Sequence, residues 1–239
     1  MNPLIQEILD LVDDLRAKFD SLQSKINDAL SWVPWGLGWV VDKIHDAWDA
    51  LVDKWNEFWD AAQLIFGNMG SPDALESASQ SWSTGVGSPV SGQAGNADRA
   101  LLQSDDHWTG QAADNYFPKS QLHKTAMEKV QTGYVAGVSG VLDTVRGGLT
   151  KFYAGLITAL GALIAGFIGA LAASGTIVGI PAGIVIAAGA CLVAIGAFYA
   201  GGTLLKSDCT SAQTDLIATM SDKTGFPGGA WPPGAILTA

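Results

Sequence analysis

Apolar residues recur along the start of the chain at Ile5, Ile8, Val12, Leu15, Phe19, Leu22, Ile26 and Ala29, in steps of three and four. That spacing is the seam of an amphipathic helix. The segment Ser31-Trp32-Val33-Pro34-Trp35-Gly36-Leu37-Gly38 carries a proline and two glycines and breaks it. The same steps resume at Val41, Ile44, Trp48, Leu51, Trp55, Phe58, Ala62 and Ile65. Two helices of equal length joined by a short turn predict an antiparallel pair.

A different pattern begins after Lys151. From there to Lys206 the chain carries no Asp, Glu, Lys, Arg or His, and Ser174-Gly175-Thr176 with Gly179-Ile180-Pro181 divides the stretch in two. The arms, Phe152 to Ala173 and Ala182 to Leu204, predict a hydrophobic helical hairpin. At about 1.5 Å per residue each arm matches the roughly 30 Å hydrocarbon core of a bilayer. Cations occur only outside it (Arg146, Lys151, Lys206), so the positive-inside bias places both ends on one side and the turn across. Phe152, Tyr153, Phe198 and Tyr199 would then fall at the charged interface, where aromatic belts sit. Small residues four apart, Ala162/Gly166/Ala170 and Ala165/Gly169, suit close packing of the two backbones. A helix apolar on every side also fits the centre of a helical bundle, and the small residues do not separate the two environments.

Composition divides the 239 residues into four parts: an acidic Trp-rich hairpin over 1–67, a mixed helical region with a Ser/Gly-rich interruption over 71–151, the apolar hairpin over 152–205, and a helix with a Gly/Pro tail over 206–239. The formal charge is −10, which argues against nucleic acid as a partner, since phosphates need a basic face. The first 67 residues hold 12 acids against 5 bases and account for most of the excess. On the second helix Asp42, Asp46, Asp49, Asp53 and Asp60 share the outward positions, with Glu57 beside them. This stripe reads first as a solvated face. Crowded carboxylates also raise one another's pKa, so mild acid would neutralise the stripe and let a Trp-rich helix settle on a membrane. Trp48, Trp55 and Trp59 fit the core, whereas Trp32, Trp35 and Trp39 crowd the turn as an interfacial anchor or docking tip. Cys191 and Cys209 lie about 27 Å apart along a continuous helix, too far for a disulfide.

With nine Trp and 29 Gly, about one Trp-X-Gly arises by chance. Trp108-Thr109-Gly110 gains meaning from its setting. Residues Ala97 to Leu102 form a helical run leading in, and Gln111 to Tyr116 open a helix continuing toward Val145. HWTGQAADNY (107 to 116) resembles the helix-turn-helix signature of the WXG family of type VII (ESX) secretion substrates. The order WxGxAAxxY, long helix, apolar stretch is similar to actinobacterial EspA/EspE-type effectors. The resemblance covers roughly residues 72 to 150. It implies a helical hairpin exported without a cleaved signal peptide through an ESX membrane machine, often paired with a small WXG-type helical partner. Trp108 and Gly110 would form the turn, and Ala112, Ala113 and Tyr116 the packing face. Two features depart from the pattern. Ser83-Thr84-Gly85-Val86-Gly87-Ser88-Pro89 interrupts the arm before the turn, which implies a short or kinked hairpin. The family's Tyr-xxx-Asp/Glu export signal is missing, because Tyr116, Tyr134, Tyr153 and Tyr199 are followed by Ser120, Val138, Ile157 and Thr203.

The start, Met-Asn-Pro-Leu-Ile-Gln-Glu, lacks the basic and apolar regions of a signal peptide. His45, His107 and His123 are scattered, with no Cys or carboxylate at metal spacing. No phosphate-binding loop or nucleophile elbow is present. The sequence therefore predicts an all-α, non-enzymatic protein without cofactor or metal. In organisation it is similar to pore-forming colicins, whose apolar hairpin is sheathed by amphipathic helices. Its expected function is that of a secreted or envelope-associated type VII substrate that inserts into or permeabilises membranes, with lipid, the secretion machinery and a helical partner or second copy as its contacts. Two other readings remain: a structural or chaperone-like assembly module, and a resident two-span envelope protein.

Overall fold

The computed structural model describes residues 2–33, 36–102 and 107–234. The protein is all-α, with no strand among the described residues. The chain divides into two compact units, Met1–Ser71 with Gly148–Lys206, and Pro72–Gly147 with Ser207–Ala239.

The first unit opens with α1 (Pro3–Leu30) and α2 (Gly38–Phe66). Asn2 caps α1 by accepting the Leu4 N–H at 3.0 Å, and Pro3 fills the first helical position, where its missing N–H costs nothing. Ile8, Val12, Leu15, Leu22 and Ile26 of α1 are buried, as are Val40, Ile44, Leu51, Phe58, Ala61 and Ala62 of α2. The arms are residues 148–173 of α6 (Ala136–Ala173) and 180–206 of α7 (Ile180–Ser221). Phe19 stacks on Trp55 at 4.2 Å, and Phe167 of the first arm closes on them at 6.1 and 5.6 Å. Phe58 meets Phe198 of the second arm at 5.4 Å. Aromatic pairs of this kind contribute about 0.5–1.5 kcal/mol each beyond their burial, so this seam is what fixes the amphipathic pair on the arms.

The arms approach each other through small residues. A Cβ on Gly166 would overlap the Ala190 methyl, and one on Gly183 would lie 2.5 Å from the Ala170 carbonyl oxygen. Gly166 and Ala170 thus serve the arm-to-arm contact expected of them. Ala162 and Ala165 are exposed, and Gly169, also exposed, lies at the margin of that contact, where an added Cβ would meet Ile186 of the second arm at 3.9 Å. The turn between the arms is built by Ser174, whose hydroxyl donates to the Ala170 carbonyl at 2.8 Å, and by Thr176, which accepts the Gly179 N–H at 3.1 Å. At the other end the Tyr153 hydroxyl donates to the Gly70 carbonyl at 2.7 Å.

The second unit is an antiparallel helical hairpin. Its first strand of helix is α3 (Pro72–Trp82), a π-helical turn (Ser83–Gly87) and α4 (Ser88–Asn96). Its second is α5 (Gln111–Lys129), a π-helical turn (Val130–Val135) and the start of α6. Pairing runs from Glu76 with Arg146 (3.4 Å), through Ser139 on the Ser79 carbonyl (3.3 Å), to Gln121 on the Ala97 carbonyl (3.3 Å). The Ser/Gly segment 83–89, expected to interrupt this arm, instead carries the helix through. Pro89 has no N–H to give, and the Ser88 N–H reaches back to the Ser83 carbonyl in the wider π pattern, so the helix absorbs the proline without ending. Gly87 is buried there, and a Cβ on it would lie 2.6 Å from Gln131 Oε1 of the facing π turn. The run 97–102, expected to be helical, forms only a 3₁₀ turn over Arg99–Leu101 capped by Asp98.

The Gly/Pro tail is packed rather than loose over its described length. Asp222 accepts a hydrogen bond from Lys129, and its carbonyl accepts from the Tyr134 hydroxyl at 2.9 Å. Phe226 stacks on Tyr134 at 5.7 Å, and Trp231 lies 6.0 Å from His123.

Two predictions follow from these contacts. Gly183→Ala should destabilise the first unit by about 1–3 kcal/mol, the usual cost of overpacking, measured by thermal or denaturant unfolding; an unchanged transition would mean that the arms separate without cost. The Lys129 hydrogen bond, with further bonds from Thr224, holds the Asp222 carboxyl below the usual carboxylate range. A lowered folded pKa stabilises above the unfolded value of about 3.9 and is lost only as pH falls through the lower folded value. Hydrogen exchange over residues 222–231 should therefore show equal protection at pH 7 and pH 5, and Asp222→Asn should lower it at both. Loss of protection between pH 7 and 5 would assign tail docking to a group other than Asp222.

Candidate functional site

The arms of the first unit are covered on one side and bare on the other. Both α6 and α7 contain stretches long and apolar enough to cross a membrane, and only 39% and 33% of their most apolar windows are buried. A helix at the centre of a bundle would be mostly buried. Val185 is 63% exposed and Val193 69%, and Ile168, Val178, Leu192 and Leu204 are exposed with them. Ala154, Thr158, Ala162, Ala165, Gly169 and Ala172 form an exposed row of small residues on α6.

The aromatic residues at the base of the arms do not share one environment. Phe152, Tyr153 and Phe198 are buried, and only Tyr199 is exposed. Tyr199 follows Phe198 by about 100° around the helix, enough to turn it from the covered face to the bare one. Pro181, in the first turn of α7, is half-buried. Cys191 is buried and Cys209 exposed, and both are free thiols.

Phe19 meets Phe167, and the Lys25 ammonium donates to the Leu171 carbonyl at 2.8 Å, so α1 runs parallel to the first arm. The α1–α2 turn therefore lies at the same end of the unit as the Ser174–Gly179 turn. Trp32 is 82% exposed and Trp39 53%, with the Lys43 ammonium 5.2 Å over the Trp39 ring. Trp35 lies outside the described residues. Trp48, Trp55 and Trp59 are half-buried beside the aromatic seam, with Arg16 stacked 4.7 Å over Trp59. Asp42, Asp46, Asp49, Asp53 and Asp60 are all exposed. Among them Lys54 donates to Glu57 at 2.6 Å, and that bond raises its pKa.

In the second unit the Trp-Thr-Gly tripeptide ends the connection between the two helical arms. Gly110 has φ +98° and ψ 179°, a backbone region open in practice to glycine alone. From there α5 begins, the Gly110 carbonyl accepting the Asp114 N–H at 3.1 Å. The Trp108 ring lies 5.3 Å from Tyr116 and 6.4 Å from Phe117. Ala113 is buried, while Ala112 and Tyr116 are half-buried. Phe117, not singled out from the sequence, is buried and has the Arg99 guanidinium 4.9 Å over its ring. Its place four residues after Ala113, on one helix face, was the available signal. Asp98 ties the connection down. It accepts from Lys124 at 2.5 Å and from the Ala100 N–H at 3.0 Å, and these bonds lower its pKa, the Lys124 bond foremost.

Among the described residues no group of three or more His, Cys, Asp or Glu is gathered as a metal site. No known family, no curated protein and no solved structure matches the chain.

Proposed function

We propose that this is a membrane-acting helical protein delivered by a type VII secretion route, whose apolar hairpin enters the bilayer. The observation that carries the membrane reading is the bare apolar face of a hairpin without Asp, Glu, Lys, Arg or His. A contiguous exposed apolar surface marks an interaction site, and arms of just over 20 residues match the hydrocarbon thickness. The covered face supports it too. Insertion exchanges the contacts of Phe167 and Phe198 with α1 and α2 for lipid, and releases two amphipathic helices rich in Trp to lie in the interface. The action is physical displacement of lipid rather than catalysis.

The export half of the reading rests on the resemblance at residues 107–116. It is supported by the antiparallel hairpin around that motif and by the contact of Trp108 with Tyr116. A second reading, assembly into an oligomer that covers the bare face, is favoured by the row of small residues on α6, which suits close helix contact.

Gly166 and Ala190 are unsuitable for testing lipid contact because they face each other. Val185→Glu and Val193→Glu place a charge on the bare face instead. Charged residues at the centre of a span cost about 2.5–3.5 kcal/mol on translocon scales, so Val193→Glu, at the middle of the second arm, should reduce vesicle flotation at least tenfold with helix content unchanged, and Val185→Glu, near the turn, should reduce it less. A parent that stays out of vesicles and sediments as a closed oligomer would favour the assembly reading.

Trp108→Ala removes two ring contacts of about 0.5–1.5 kcal/mol each, too little to unfold the second unit. In the native host the variant should remain helical by circular dichroism yet be lost from the medium or from co-purification with a small helical partner. Normal export of the folded variant would remove the support for type VII delivery.

A further inference from the structure

The second unit holds a cavity of about 370 Å³ between the end of α4, the connection after Leu101, α5 and the docked tail. That size is within the range of small-molecule sites, about 300–1,000 Å³. Tyr116, Lys119, His123 and Met127 line it from α5, and their spacing of three, four and four residues puts them on one helix face. Asn96 of α4 and Leu102 of the connection line it as well.

The electrostatics of this cavity turn on Lys119, which is half-buried. The other lysines and arginines of the unit are engaged. Arg99 lies over the Phe117 ring, Lys124 pairs with Asp98, Lys129 with Asp222 and Arg146 with Glu76, and Lys223 donates to the Met220 carbonyl. Among the described residues Lys119 has no ion-pair or hydrogen-bond partner. Removing an ammonium from water without a counter-ion is unfavourable, and an anion entering the cavity would offset that cost. Asn96 adds amide N–H donors to the same lining.

From this we infer that the cavity binds a small aromatic monocarboxylate. The carboxylate accepts from the Lys119 ammonium and the Asn96 amide. The ring of the ligand packs among Tyr116, His123, Met127 and Leu102, where ring edges, a thioether and an aliphatic side chain all favour an aromatic body. One fixed ammonium matches one negative charge. A phosphate dianion would ask for a second fixed cation, and a neutral ring would leave the lysine unpaired. The site is confined to the second unit, so it stands or falls apart from the membrane reading.

Calorimetric titration of the full chain tests this with phenylpropanoate as the probe, against phenylpropanamide, phenyl phosphate and acetate. Loss of a hydrogen bond to a charged group lowers affinity about tenfold or more, so the parent should prefer the acid to its amide by that factor. Lys119→Gln should lose the same factor for the acid and leave binding of the amide unchanged, whereas Lys119→Arg should retain the preference. Lys54→Gln, which removes a charge from the first unit, should retain it too. Met127→Glu should abolish binding of acid and amide alike. Asp105→Asn with Asp106→Asn, both outside the described residues, should leave the titration as it is. Equal binding of acid and amide, tighter binding of phenyl phosphate or acetate, an equal loss from Lys54→Gln, or no binding of phenylpropanoate at millimolar concentration would each overturn the inference. So would binding that appears only in the Asp105→Asn/Asp106→Asn variant, which would make an acid of the chain itself the partner of Lys119.

Discussion

A stretch from residue 152 to 205 with no Asp, Glu, Lys, Arg or His must be kept from water, and α1 and α2 can shield only part of it. Two helices cover one side of a two-helix hairpin and no more. The shielded side is held by a continuous aromatic contact from Trp55 and Phe19 to Phe167, and from Phe58 to Phe198. The unshielded side is left to whatever solvent the protein meets. In water that surface has an unfavourable free energy proportional to its area, about 25 cal/mol per Å². The first unit is therefore built around an unmet apolar demand, and the membrane reading is the response that the length of the arms suits.

The covering helices and the two arms are held by different kinds of contact. Between the arms, Gly166 meets Ala190 and Gly183 meets the Ala170 backbone at separations that exclude any larger side chain. Between the arms and α1, the Lys25 ammonium donates to the Leu171 carbonyl. Close backbone packing persists in lipid because it depends on dispersion rather than on exclusion of water. Aromatic rings of α1 and α2 lose less on transfer, since the interface accepts their apolar bodies and wet edges alike. The proposed insertion moves the hairpin as one piece and parts its cover from it.

The second unit follows a different logic. Its helices carry proline and glycine in places that ordinarily end a helix, and two facing π turns accommodate them, with Gly87 buried against Gln131 and Val135. Gln131 Oε1 is buried there without a hydrogen-bond partner, a cost accepted at the closest point of the crossing. The tail completes the unit through Asp222 on Lys129 and Phe226 on Tyr134.

Much of this was written in local pattern. The seams of α1 and α2, the split of the apolar stretch at Ser174, and the all-α class follow from periodicity and from the run without charge, because helix formation and burial respond to neighbours three and four residues away. The glycine at position 110 was likewise legible from its place before a helix. What the sequence could not state depends on which faces meet. Periodicity predicted small residues between the arms, and only the packed arrangement separates Gly166 and Ala170, which meet the other arm, from Ala162 and Ala165, which are exposed, with Gly169 at the margin of the contact. Phe198 is buried and Tyr199 exposed for the same reason, since rotation of the helix about its axis is set by its partners. The passage of the helix through Ser83–Gly87 also needed the tertiary structure. A Ser/Gly run ending in proline carries no local preference for helix, and it is the facing arm, pressed against Gly87, that holds it there.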